Sequence, residues 1–264
     1  MNGLYGTSVT GMQGAAFVLN VVANNIANLN TDGFQSIDPV LASLPSQGGL
    51  MSTTANAAPP VATNEGMGVA SASTTRSQVP ASLVHTEDPA DLAISGSGVF
   101  ALRQTDGTIV YSSQLSLQVR PDGQLVTSQG LSVMPPVRVP ANVVSVTADA
   151  SGKLVALGPE GQAVYGKDGK PLNLGTLKTV TFSAPENLTA LGSGLYSESL
   201  SSGRPQVPQA GSLTVSSGYQ LNSTVDLTTQ MVEMIQAQRM FEANGKALQT
   251  IDSLINNVVN IQAR

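Results

Sequence analysis

VTGMQGAAFVLNVVANNIANLNTDGF, residues 9–34, sets the character of the chain. Val9, Met12, Ala16, Leu19, Ala23 and Ile26 recur at alternating steps of three and four, the a/d spacing of a heptad helix. Phe17, Val18, Val21 and Val22 lie off that seam, so the helix is apolar on more than one side and needs more than one neighbour. Asn24, Asn25 and Asn28 then crowd its C-terminal turns, although Asn disfavours a helix interior by roughly half a kcal/mol relative to Ala. Asn28, Asn30, Thr31 and Gly33 read as a stop signal, with Gly33 free to take the left-handed cap conformation, and Phe34 and Ile37 are expected to fold back on the helix.

From Pro39 to about Pro80 the sequence turns to Ser, Thr, Ala, Gly and Pro, with few charges and few large apolar residues. That composition predicts a pliable segment with no core of its own, covered by a partner, with one short strand at Gly68 to Ser73. Beyond Val79 the period changes to two. Runs such as ADLAISGSGVFALRQ, TIVYSS, LSLQVR and QLVTSQ are punctuated at Asp106-Gly107, Asp122-Gly123, Ser151-Gly152, Glu160-Gly161 and Asp168-Gly169. Turn dipeptides at that density predict hairpins and an antiparallel β domain rather than βαβ units. Gly203 to Gly211, with Pro205 and Pro208, reads as a linker out of that domain.

A second long helix is expected from about Ser223 to Ala263, with Ser223 and Asp226 as a capping box. Leu227, Met231, Met234, Phe241, Leu248, Ile255 and Val259 fall on a three-four alternation, yet Gln238, Gly245 and Asp252 occupy the same seam, and a second apolar line through Ala247, Ile251, Leu254, Val258 and Ile261 takes over toward the end. Such drift means different neighbours along the length. The predicted organisation is α+β: an assembly helix (1–38), the pliable segment (39–80), an inserted antiparallel β domain (81–210) and a C-terminal assembly helix (211–264), the terminal helices pairing in a coiled-coil-like manner.

Composition narrows the function classes. Among 264 residues only 11% are charged and 4% aromatic, with 26 glycines, 15 prolines and no tryptophan. A net charge of -5 with twelve scattered Lys and Arg argues against nucleic acid. The absence of cysteine excludes disulfides and thiolate metal sites. The start carries no basic n-region of a cleaved Sec signal, and polar residues interrupt the only long apolar stretch, so membrane insertion is not expected.

Catalytic groupings are scarce. His85, the single histidine, lies in HTEDPAD near Glu87, Asp88 and Asp91, but one histidine with carboxylates beside a proline reads as a solvated turn before it reads as a metal or acid–base site. Gly96-Ser97-Gly98 lacks the third glycine and following helix of a dinucleotide fingerprint and reads as a hairpin bulge. No metalloprotease, phosphate-loop or nucleophile-elbow motif occurs, and neither an enzyme activity nor a cofactor is expected. The Met residues at 231, 234 and 240 read as packing filler. Asn24, Asn25 and Asn28 read as register-fixing contacts to a neighbouring subunit, as buried polar residues act in coiled coils.

ANNIANLNTDGFQ (Ala23 to Gln35), DLAISGSGVFAL (Asp91 to Leu102), GQLVTSQG (Gly123 to Gly130) and the run from Ser216 to Asp252 resemble the bacterial flagellar rod and hook family. Length and motif order are most similar to rod subunits of the distal kind, the alternatives being a proximal rod or hook-type subunit and, from another class, a secreted β-rich surface-binding protein with helical anchors. The chain departs from the family pattern with Gln35 where a basic residue is usual, with Val99-Phe100 for a Phe pair, and with no Arg or Gly in the stretch from Tyr111 to Leu117. The resemblance implies a structural protein, exported unfolded through the flagellar type III apparatus and stacked helically into a hollow drive shaft in the periplasmic part of the basal body. It implies as partners copies of itself, other rod and hook subunits, the export apparatus and the ring bushing around the rod. The expected subunit interface comprises the seam residues of both helices together with the Asn cluster and Thr31, Gly33 and Phe34.

Overall fold

The structure is a computed structural model that describes residues 2–44, 66–77, 79–140, 143–159, 162–165, 172–209 and 211–262. The chain divides into two compact units, one built from residues 1–27, 37–75 and 226–264, the other from 28–36 and 76–225.

The first unit contains α1 (Asn2–Ala27), β1 (Ile37–Ser43), β2 (Val69–Arg76) as far as residue 75, and α2 (Leu227–Gln262). At 1.5 Å per residue the helices are roughly 39 and 54 Å long. α1 packs on α2, and β1 pairs with β2 and lies on α1. A two-stranded ribbon is marginal by itself, and this one is backed by the helix: a side chain at Gly14 would meet Val69 and Leu41. β2 covers the short strand expected at Gly68 to Ser73. β1 was not expected, and most of the segment read as pliable lies outside the described residues.

The described strands of the second unit pair antiparallel, with one 3-10 turn at Pro185–Asn187, and they run β3 (Leu83–His85), β4 (Asp91–Gly96), β5 (Val99–Arg103), β6 (Ile109–Ser112), β7 (Gln114–Val119), β8 (Leu125–Thr127), β9 (Ser132–Val133), β10 (Ser145–Ala148), β11 (Lys153–Leu157), β12 (Asn173–Thr176), β13 (Thr179–Val180), β14 (Thr189–Gly192), β15 (Leu195–Ser197), β16 (Leu213–Ser217) and β17 (Tyr219–Leu221). The main sheet has the order β14-β15-β6-β5-β9-β8-β7-β4-β16, with β13 also on β5, while β10-β11-β12 and β17-β3 form separate sheets. β5 is buried over three consecutive residues because both of its faces are covered. Phe100 and Leu102 enter a large core with Leu92, Val110, Leu125 and Leu154. Ala101 joins Tyr111, Phe182, Leu188 and Tyr196 in a smaller one on the other side. There Tyr111 meets Phe182 edge to face at 4.9 Å. Burial raises the Tyr111 and Tyr196 phenols above their ordinary range.

Turn chemistry follows the dipeptides. Gly107, Gly123 and Gly152 adopt φ of 89°, 77° and 78° between β5 and β6, β7 and β8, and β10 and β11. Asp106 Oδ1 accepts from Thr108 N at 2.9 Å, which with the Thr108 hydroxyl holds its carboxyl below the usual range. The turns expected at Glu160-Gly161 and Asp168-Gly169 lie outside the described residues.

Two local readings are corrected. Gly96-Ser97-Gly98 is a corner, not a hairpin bulge, because β4 pairs with β7 and β16 whereas β5 pairs with β6, β9 and β13. Glycine is needed there because a Cβ on Gly96 would come 2.5 Å from the Ser212 carbonyl oxygen. The approach to the C-terminal helix carries β16 and β17, which hydrogen-bond to β4 and β3 more than a hundred residues upstream.

Candidate assembly surface

α1 ends at Ala27, and the turn that follows is built by Thr31 N donating to Asn28 O and Phe34 N donating to Thr31 O, each at 3.1 Å. Gly33 takes φ +68°, as its place in the stop signal requires, and a Cβ there would press on the Gln114 amide at 3.0 Å. This loop is sewn to the chain leaving β17. Gly33 N donates to Leu221 O at 2.6 Å, Thr224 N to Phe34 O at 3.0 Å, and Ser36 N to Thr224 Oγ1 at 2.9 Å. The Gln114 side chain completes the join by accepting from Leu221 N at 2.9 Å.

α2 starts one residue after Asp226, whose Oδ1 accepts from Thr229 N at 2.9 Å while its carbonyl accepts from Gln230 N. Asp226 is therefore the N-cap itself, and Ser223 only caps a preceding turn by accepting from Val225 N. The bond from the Thr229 amide holds the Asp226 carboxyl below its usual range.

The two helices are antiparallel. Asn25 meets Gln230 at one end, and a side chain at Gly11, fourteen residues before Asn25, would meet Asn244, fourteen residues after Gln230. Among its described residues, α1 buries Ser8, Gly14, Ala15, Val21, Val22 and Asn25. Ser8, Gly11, Ala15, Val18, Val22 and Asn25 make a second three-four seam of smaller residues, one position before the bulkier one expected from sequence. On α2, Gln230 and Ala237 are buried. At the mouth of this interface Asn25 is fully buried. Its Nδ2 donates to Ile37 O (2.8 Å) and to Gln230 Oε1 (2.9 Å), and its Oδ1 accepts from Ile37 N (3.0 Å). Gln230 Nε2 in turn reaches Glu233.

The sequence-predicted interface residues thus divide. Asn25 does not face outward, because its amide is used inside the chain. Gly33 is buried, and Met12, Ala16, Leu19, Ile26, Asn28, Phe34, Met234, Leu248, Ile251 and Ile255 are half-buried. Val9, Asn24, Asn30, Thr31, Leu227, Met231, Gln238 and Phe241 are exposed. Val232 and Ile235, which follow no clean seam, join Met231 at about half exposure. They were missed because a search for a single heptad line passes over residues beside it. The pair of helices presents an outward apolar strip next to the seam that binds it together. Among the described residues no three metal-ligating side chains converge, and His85 stands exposed on β3 against the Tyr219 ring, 5.1 Å away. No described helix is long and apolar enough to cross a membrane.

Family models match three stretches: the flagella basal body rod protein model at residues 6–35, the flagellar hook protein FlgE/F/G D1 domain at 93–156, and the flagellar basal body rod FlgEFG protein C-terminal model at 216–261. The flagellar basal-body rod protein FlgG of Buchnera aphidicola (subspecies Baizongia pistaciae) is 31% identical over 256 residues, covering 94% of this chain and 95% of its own length. The chain belongs to the flagellar basal-body rod protein family. FlgG of Bacillus subtilis strain 168 is likewise 31% identical, with 97% of each chain covered, and the rod protein FlgF of Escherichia coli K12 is 29% identical with 92% of each covered. In this rod-family chain the first and last matched stretches are the two that the Gly33–Leu221 and Thr224–Phe34 bonds sew together.

Proposed function

We propose that this protein is a structural subunit of the flagellar rod, of the distal kind, which assembles helically into a hollow shaft and transmits torque from motor to hook. Its role is mechanical, not enzymatic. Near full-length similarity to proteins named as basal-body rod proteins supports this reading. The observation that carries it is the exposure of Leu227, Met231, Val232, Ile235 and Phe241 at 38–52% along one helix. Apolar side chains in such a row favour removal from water by about 25 cal/mol per Å², and a neighbouring copy supplies the cover. The terminal helices form the coiled-coil-like assembly domain through the outward seams, with Asn24, Asn28, Asn30 and Thr31 at its polar edge. Other rod and hook subunits, the export apparatus and the surrounding bushing are its further partners. A cysteine-free chain suits export in an unfolded state.

The test is truncation. Chains lacking residues 1–34 or 224–264 should fail to form the filament that the full chain forms, scored by sedimentation and electron microscopy. Filaments of unchanged form from either truncation would refute the role given to the termini.

A further inference from the structure

Gly6, Gly11, Gly14 and Gly245, all inside the two long helices, fall into two kinds. Packing calls for Gly11 and Gly14, since a Cβ there would come 2.7 Å from the Asn244 amide nitrogen and 3.1 Å from Val69. At Gly6 and Gly245 a Cβ would meet no described neighbour within 4 Å. Glycine is the least favourable residue of a helix interior after proline, because its backbone gives up the most freedom there. At these two positions no close contact repays that loss.

The two also share a level. Gly11 lies against Asn244 in an antiparallel pair, so Gly6, five residues before Gly11, stands opposite Gln249, five after Asn244. That is about one helical turn from Gly245. From this level on α2 is weak by a second sign. Asn244 Nδ2 donates to Met240 O at 2.9 Å, Thr250 Oγ1 to Lys246 O at 3.0 Å and Ser253 Oγ to Gln249 O at 2.9 Å. Side chains that bond back to a carbonyl four residues earlier compete with the helical ladder and favour bending. Among the described residues Ala237 is the last that α2 buries.

We propose that the helix pair carries a joint at the level of Gly6 and Gly245, stiff on the side of Asn25 and Gln230 and pliant beyond, about which residues 246–262 bend as an arm. A single softened helix would be splinted by its partner, whereas two softened at one level give way together. The arm holds its own apolar line through Leu248, Ile251, Leu254 and Ile255. Bending aims that line in a direction that the strip from Leu227 to Phe241 does not share. The inference goes beyond the rod reading and does not depend on it, because the joint belongs to the free chain.

The natural absence of cysteine allows spin labels to be placed at exposed Thr228, Glu242 and Asn256 of the full-length chain. The pairs are Thr228→Cys with Glu242→Cys and Thr228→Cys with Asn256→Cys, and their distances are read by pulsed electron paramagnetic resonance on dilute, unassembled protein. A straight helix gives ~21 Å for the first pair and ~42 Å for the second. The first should show one narrow peak, and the second a broad distribution reaching well below ~42 Å. Gly6→Ala combined with Gly245→Ala adds methyl groups in open space, so it stiffens without crowding. It should narrow the second distribution to one peak at ~42 Å. If the second pair is already as narrow as the first with both glycines in place, the joint is refuted. A broad distribution that the two alanines leave unchanged refutes it equally, because the spread then arises elsewhere in α2.

Discussion

Asn25 and Ile37 hold each other by two opposed hydrogen bonds, side-chain Nδ2 to backbone O at 2.8 Å and backbone N to side-chain Oδ1 at 3.0 Å. An asparagine amide can answer both groups of one residue as a strand neighbour would, so it works as a one-residue extension of β1. Because Nδ2 also reaches Gln230, one side chain ties the end of α1, the start of β1 and the first turn of α2.

Replacing Asn25 by alanine strands the Ile37 amide and carbonyl and the Gln230 oxygen in a buried place. With about 1–3 kcal/mol for each unsatisfied group and partial relaxation, we expect a loss of about 3 kcal/mol in urea unfolding. Asn25→Asp should be no better near neutral pH, because it turns an acceptor toward Ile37 O and Gln230 Oε1. A loss under 1 kcal/mol for Asn25→Ala would contradict the account.

The two seams of α1 give opposite expectations for neighbouring alanines. Ala15 is fully buried, so Ala15→Leu overpacks the helix pair and should cost about 1–3 kcal/mol, seen as a lower Tm. Ala16 lies half-buried on the outward seam, and Ala16→Leu should leave Tm within a degree or two while changing assembly. Equal Tm shifts for the two would mean that the inner seam is not the one described.

The contrast between Ala15 and Ala16 also shows what the sequence contained. The three-four alternation is present in two adjacent frames, and hydrophobicity alone favours the frame with Met12 and Leu19. The helices instead meet along Ser8, Gly11 and Ala15, because close approach needs small side chains; this is a property of the pair and not of either helix. The α+β class and the turns at Gly107, Gly123 and Gly152 were legible because they depend on local backbone preference. β17 was not, since its partner β3 lies about 135 residues earlier. The fate of Asn25 was equally hidden, its partner Gln230 being 205 residues away.

Asp226 gives a pH dependence. Its folded carboxyl titrates lower than in an unfolded chain, where ~3.9 is usual. The cap's contribution is therefore fully present above that value and is lost as pH falls through the lower folded one. Asp226→Asn retains an acceptor for Thr229 N without the charge. We expect the natural chain and the Asn variant to converge in stability as pH falls toward 3, measured by helical circular dichroism in a denaturant series. A gap that widens on acidification would reverse the assignment.

The outward strip separates folding from assembly most directly. Met231 and Ile235 are 52% and 49% exposed at i, i+4 spacing on α2, so changing both to Glu buries no charge in the monomer, and surface changes of this kind alter stability by about 0.5 kcal/mol or less. In a filament the same carboxylates would be desolvated against an apolar neighbour, a cost of several kcal/mol per contact repeated at every subunit. The double variant should therefore unfold like the natural chain, sediment as a monomer and fail to restore motility to cells lacking the protein. Filaments of ordinary length from the double variant would show that this strip faces solvent in the assembly, and that the contacts between subunits lie elsewhere on the helices.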